Sequence, residues 1–197
     1  MESVNKSFDV NEVFAGVEKS FKEYNSVSSG KGNIFEKGDA WEAKSAKVVS
    51  GLTDILRNVL SKPESEGPKK TEIANRVCEF VNMISSRADG ALWRLARHAE
   101  DGEVLISFLK ELASFSKKSA DKKWISQIDK IFRAGSYRHP LVNNLSCNPM
   151  IKKEFNEMFS MLPEDYQNKL LGETISYEEG DKTYTYSLIG GTALMGF

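Results

Sequence analysis

Cys147, His139 and His98 are the residues from which this 197-residue chain would have to build a Cys–His catalytic dyad. A thiol becomes a nucleophile when an imidazole within hydrogen-bond reach takes its proton. His139 stands eight positions before Cys147 and His98 much farther back, and neither spacing secures that geometry. The bland reading is a small buried hydrophobe and a loop histidine before Pro140, and it is preferred because structural cysteines outnumber catalytic ones. A zinc site from Cys78, His98, His139 and Cys147 would lack the closely spaced ligand pair that structural sites use. Gly30-Lys31-Gly32 lacks the later glycine of a nucleotide loop, and Gly190-Gly191 precedes too short a segment for the helix that would receive a phosphate. The carboxylate pairs Glu164-Asp165 and Glu178-Glu179 read as a first-turn helix charge and a hairpin flank. The expectation is a non-enzymatic chain without metal or cofactor.

A second chemistry is charge. Residues 1–116 carry sixteen Lys+Arg against eighteen Asp+Glu, residues 117–153 nine against two, and residues 154–197 two against eight. The near-neutral total of −1 therefore hides a middle of net +7 and an end of net −6. Blocks of opposite sign suit either a polyanion bound to the middle or contact between copies. Lys117, Lys118, Lys122, Lys123, Lys130, Arg133 and Arg138 surround Trp124, Phe132 and Tyr137. Cations for phosphates and rings for unpaired bases are what a single-strand nucleic-acid binder needs. Trp124, Ile128 and Phe132, however, have the spacing of a buried helical stripe, which favours a solvated helix face with inward aromatics. Tyr137 and Arg138 lie off that stripe.

The elements that must position these groups are mostly helices. Asp9 with Glu12 has capping-box spacing, and Val10, Val13, Phe14, Val17, Phe21 and Tyr24 form one apolar face. The stretch 25–38 reads as a Ser- and Gly-rich loop. Asp39 with Glu42 opens a helix to about Leu60, with Trp41, Val48, Val49, Leu52, Ile55, Leu56 and Val59 as its stripe. Residues 61–70, with Pro63, Gly67 and Pro68, break the pattern as a surface linker. Further helices follow through Val77 and Val81, through Leu105 and Leu112, and through Trp124 and Phe132. Asp89-Gly90 and Asp101-Gly102 punctuate them, and Gly135 closes the last. Residues 136–148 read as a loop. Asn148-Pro149 gives a cap and first-turn proline for a helix through Phe155 and Phe159, and Pro163 starts a short one that Gly172 ends.

The C-terminus changes period. Thr174–Glu179 and Lys182–Leu188 flank Gly180-Asp181, which suits a type II′ hairpin. Ile175, Tyr177, Tyr184, Tyr186 and Leu188 then share one face, and Thr174, Ser176, Glu178, Thr183, Thr185 and Ser187 the other. A two-stranded hairpin is marginal alone, so its tyrosine face must pack on the bundle or on another chain. The apolar tail beyond Gly190-Gly191, with Leu194, Met195 and Phe197, is expected to dock on its own chain or a neighbouring copy.

These features predict an all-α bundle of about seven or eight helices over 1–172, with a β-hairpin and arm over 173–197. The two cysteines suit reduced, mostly buried thiols. No apolar leader and no uninterrupted stretch near the roughly 18 residues of a membrane helix is found, so a cytoplasmic protein is expected. The leading functional expectation is protein interaction or self-assembly, carried by Tyr177, Tyr184, Tyr186, Leu194, Met195 and Phe197. The alternative is nucleic-acid binding through 117–153.

Overall fold

The computed structural model describes residues 9–29, 34–60, 68–86, 92, 95–96, 99–118, 122–136, 139–190 and 193–194. Eight helices stand among these residues, followed by a C-terminal hairpin. They are α1 (Val10–Ser29), α2 (Ile34–Ile55), α3 (Pro68–Ser85), α4 (Ala99–Lys118), α5 (Lys123–Phe132), α6 (Leu141–Cys147), α7 (Lys152–Ser160) and α8 (Glu164–Gly172). No helix among the described residues is long and apolar enough to cross a membrane.

Asp9 caps α1 as its spacing indicates, its Oδ1 accepting the Asn11 N–H at 2.8 Å. The expected loop at 25–38 is instead largely helical, since α1 runs to Ser29 and α2 begins at Ile34. Ser26 is tolerated there because its hydroxyl donates to the Glu23 carbonyl at 2.7 Å. Asp39 and Glu42 accordingly lie inside α2 and not at its start. Of the stripe read for this helix, Val48, Val49, Leu52, Ile55 and Leu56 are buried and Val59 is half-buried, while the Trp41 side chain lies outside the described residues. One π-helical turn, Leu56–Leu60, ends it and keeps Leu56 and Leu60 in the core.

α2 packs on α1 and α4, and α4 in turn on α5 and α7. Phe14 stacks on Phe80 with centroids 5.7 Å apart, and Phe21 meets the same ring edge-on. Asp101-Gly102 does not break the chain but sits in the first turn of α4. The helix comes close to its neighbour there: a Cβ at Gly102 would stand 2.9 Å from Ile151 Cδ1, so any larger residue would need the end of that side chain to move.

The expected loop at 136–148 also contains a helix, α6. Its Leu141, Val142 and Leu145 are fully buried, and that burial outweighs the turn chemistry of Asn143-Asn144. Asn148 therefore ends α6 and does not open α7. Its Oδ1 accepts the Met150 N–H at 3.0 Å and its Nδ2 donates to the Ala96 carbonyl at 3.0 Å. Helix α7 begins at Lys152, four residues after Asn148, without a side-chain cap. Cys147 is exposed, contrary to expectation, because it falls past the buried face of α6 formed by Leu141, Val142, Leu145 and Ser146.

Two short strands, β1 (Gly135–Ser136) and β2 (His139–Pro140), pair between α5 and α6. The C-terminal sheet holds β3 (Thr174–Glu179), β4 (Lys182–Ser187) and β5 (Ala193–Leu194), in the order β3-β4-β5. Gly180 has φ +62° and Asp181 has no positive φ, which identifies the type II′ turn.

Candidate interaction surface

The hairpin register pairs Ile175 with Tyr186 and Tyr177 with Tyr184, so the tyrosine face forms as its alternation requires. On the opposite face Ser176 Oγ and Thr185 Oγ1 share a hydrogen bond of 2.7 Å. The two ends of the hairpin differ in environment. At the root, Leu188 is fully buried, and Ile175 and Ile189 pack against the bundle core. Glu173 O accepts the Leu188 N–H at 2.9 Å, Asn143 Nδ2 donates to Leu188 O at 3.4 Å, and Gly190 N–H donates to Ser146 Oγ at 3.1 Å. Farther out, Tyr177 stacks on Tyr184 with centroids 5.1 Å apart and planes 16° from parallel, and both rings remain partly exposed. Tyr186 meets Tyr177 edge-on at 6.3 Å and is itself buried. Burial, Tyr177 and the nearby Cys147 thiol push the Tyr186 phenol above its ordinary pKa.

The root is held by a polar cluster that no motif announces. Arg133, just past α5, donates two hydrogen bonds to Glu173, from Nη1 to Oε1 at 2.7 Å and from Nη2 to Oε2 at 2.9 Å. Its Nε donates to Asp129 Oδ2 at 2.9 Å, and Asp129 Oδ1 accepts the Tyr166 hydroxyl at 2.9 Å. The bond to Arg133 holds the Glu173 carboxyl below its usual pKa, while the bonds to Glu173 and Asp129 raise that of the guanidinium. Burial first, then the Asp129 charge, keeps the Tyr166 phenol protonated well past its ordinary range. The cluster ties α5, α8 and the start of β3 together. Its only trace in the sequence is the opposition of a basic block holding Arg133 to an acidic block holding Glu173.

The basic segment is partly spent inside the molecule. Besides Arg133, Lys130 Nζ donates to Asn82 Oδ1 at 2.6 Å. Lys123 lies over the Trp124 ring at 5.2 Å. Trp124 is only 4% exposed and Phe132 0%, so neither ring is open to a base. Lys117 and Lys122 are exposed. Tyr137, Arg138 and the Lys118 side chain lie outside the described residues.

Of the apolar tail, Ala193 and Leu194 pair with Tyr186 and Thr185, so the arm returns along the far edge of β4. Met195 and Phe197 lie outside the described residues, as do His98 and the side chain of His139. Among the described residues no group of three His, Cys, Asp or Glu side chains could hold a metal ion. A groove of about 570 Å³ runs between α1 and α2, floored by Val17 and Ile55 and lined by the small residues Gly16, Ser50 and Gly51.

No protein-family model, no curated protein and no solved structure matches this chain.

Proposed function

We propose that this chain is a non-enzymatic cytoplasmic protein of interaction or self-assembly, with the C-terminal sheet as its contact surface. The observation that carries the reading is the stacked Tyr177–Tyr184 pair. It lies partly exposed on the outer half of a hairpin whose root is fastened to the bundle by Leu188 and the Arg133–Glu173 pair. A rigidly presented aromatic pair with few rotatable bonds loses little entropy on binding, and tyrosine is a frequent interface anchor. The test is light scattering on nuclease-treated protein at low and high salt, repeated on a Tyr177→Ala, Tyr184→Ala double variant. A nuclease-resistant oligomer that the variant loses supports the reading. An oligomer indifferent to the variant removes the tyrosine face from it. A monomer under all conditions refutes self-assembly and leaves binding to a different protein, to be sought with the same variant as the negative control.

Exposed Lys117 and Lys122 support a second reading, in which the basic segment contacts nucleic acid. Phosphate contacts release counterions, so such binding would weaken steeply with salt and Lys→Ala changes would flatten the slope. A species sensitive to both nuclease and salt would favour it. The committed positions of Arg133, Lys130 and Trp124 weigh against it.

A further inference from the structure

We propose that the outer edge of β3 pairs antiparallel with β3 of a second copy about a two-fold axis at Ser176. This rests on the self-assembly reading above and names its geometry.

The backbone alternation of β3 follows from its turn. In a two-residue hairpin the residues flanking the turn form a hydrogen-bonded pair, and such pairs then recur at every second residue. Glu179 opposite Lys182 is the flanking pair, so Tyr177 with Tyr184 and Ile175 with Tyr186 are hydrogen-bonded pairs too. The Leu188 N–H donating to Glu173 O continues the same series by one more step. The N–H and C=O groups of the even-numbered residues, Thr174, Ser176 and Glu178, therefore point away from β4. Among the described residues β3 has no other strand neighbour, whereas β4 is paired on both sides.

That edge is self-complementary. An antiparallel pair centred on Ser176 sets Thr174 opposite Glu178 of the partner subunit. It also sets Ile175 opposite Tyr177 of the partner subunit. The outward groups of Thr174, Ser176 and Glu178 then meet the same set across the axis, as a hydrogen-bonded ladder requires. Ile175 beside a tyrosine is a favourable aromatic–aliphatic pair on the apolar face, and no like charges stand opposite within this span. One step farther out, Glu179 faces Glu173 of the partner subunit, a carboxylate that Arg133 already covers through the bidentate pair each copy carries. Antiparallel pairing also sets each copy's root beside the other's turn, so the two helical bundles stand at opposite ends of the joined sheet. A two-fold isologous contact of this kind closes on itself and stops at a dimer. The edge has neither proline nor bulge, two common means of blocking such pairing.

Ser176 at the axis supplies the test. Ser176→Lys puts two ammonium groups face to face across the axis and Ser176→Glu two carboxylates, while the side chain points to the exposed face in the monomer. Sedimentation velocity on the full-length chain should show a dimer for the wild type. Each single variant should associate at least tenfold more weakly, and an equimolar mixture of the two should regain the dimer, since Lys now faces Glu. Circular dichroism on each variant separates lost pairing from lost fold, and recovery in the mixture does so independently. Three results overturn the proposal: a wild type that stays monomeric to its solubility limit, a dimer untouched by either variant, or a mixture that fails to recover. If the Ser176 variants leave the dimer intact while the Tyr177, Tyr184 double variant dissolves it, edge pairing fails and the tyrosine-face reading survives. If neither set affects the dimer, both fail.

Discussion

Arg133 and Glu173, forty residues apart, meet through two hydrogen bonds of 2.7 and 2.9 Å, one to each carboxylate oxygen. The charge segregation of the chain is thus satisfied at this point within one molecule. With side chains 39% and 31% exposed, the pair is screened by solvent, and bidentate geometry is what raises it above an ordinary surface contact. A double-mutant cycle with Arg133→Ala and Glu173→Ala should give a coupling energy of about 1 kcal/mol in urea unfolding. A value near zero would show that the cluster contributes through packing alone.

Glu173 should also shape the acid limb of stability. Its folded pKa lies below the ordinary 4.5, so the folded state favours the charged form. The resulting stabilisation is present above the unfolded value and is lost as pH falls through the folded one. Glu173→Gln should be less stable than the wild type at neutral pH, and the gap should narrow below about pH 4. A gap independent of pH would contradict this assignment.

Tyr166 acts at the opposite end of the scale. Its folded pKa is raised, so its contribution is complete below the unfolded value of about 10 and declines as pH climbs toward the folded one. Tyr166→Phe removes the hydroxyl that Asp129 accepts and should cost about 1 kcal/mol at neutral pH. The variant should also lose less stability than the wild type between pH 10 and 11, as thermal melts across that range would show.

Two glycines on facing helices should respond with opposite sign. Nothing lies within 4 Å of a Cβ built on Gly16, and the position is exposed. Gly16→Ala should stabilise α1 by about 0.5–1 kcal/mol through helix propensity. A Cβ on Gly51 would stand 2.8 Å from Val17 Cγ2, the stiff β-branched side chain of a buried residue. Gly51→Ala should therefore destabilise by about 1–3 kcal/mol, the usual cost of overpacking, despite its better propensity. Equal and favourable shifts in midpoint for both would mean that α1 and α2 separate at little cost.

What the residue pattern reveals varies with the range of the interaction behind it. The hairpin register was legible because alternation over Thr174–Leu188 and the Gly180-Asp181 turn are local signals that agree. Pro163 marked the start of α8 for the same reason, its fixed φ suiting the position before a first turn. Helix α6 was hidden because Pro140 and Asn143-Asn144 are strong local turn signals. The burial of Leu141, Val142 and Leu145 that overrides them comes from distant elements. The Ser- and Gly-rich stretch at 25–38 misled similarly, since hydroxyls that bond back to their own helix are not turn formers. The Arg133–Asp129–Tyr166–Glu173 cluster was beyond local pattern altogether. Its members are ordinary surface types until the fold sets them side by side. The tyrosines, by contrast, share one face as local alternation dictates, while their differing exposure depends on the distant packing of the bundle.

Asn148 carries a chemical consequence of its own. Its amide bridges the Ala96 carbonyl and the Met150 N–H, joining the segment before α4 to the approach to α7. Asparagine amides commonly age by attack of the following peptide nitrogen, which closes a succinimide and leaves aspartate behind. Here that nitrogen belongs to Pro149 and carries no hydrogen, so the ring cannot close by this route. An aspartate at this position would have no N–H to offer Ala96. Pro149 therefore closes this route to losing the donor on which the junction depends.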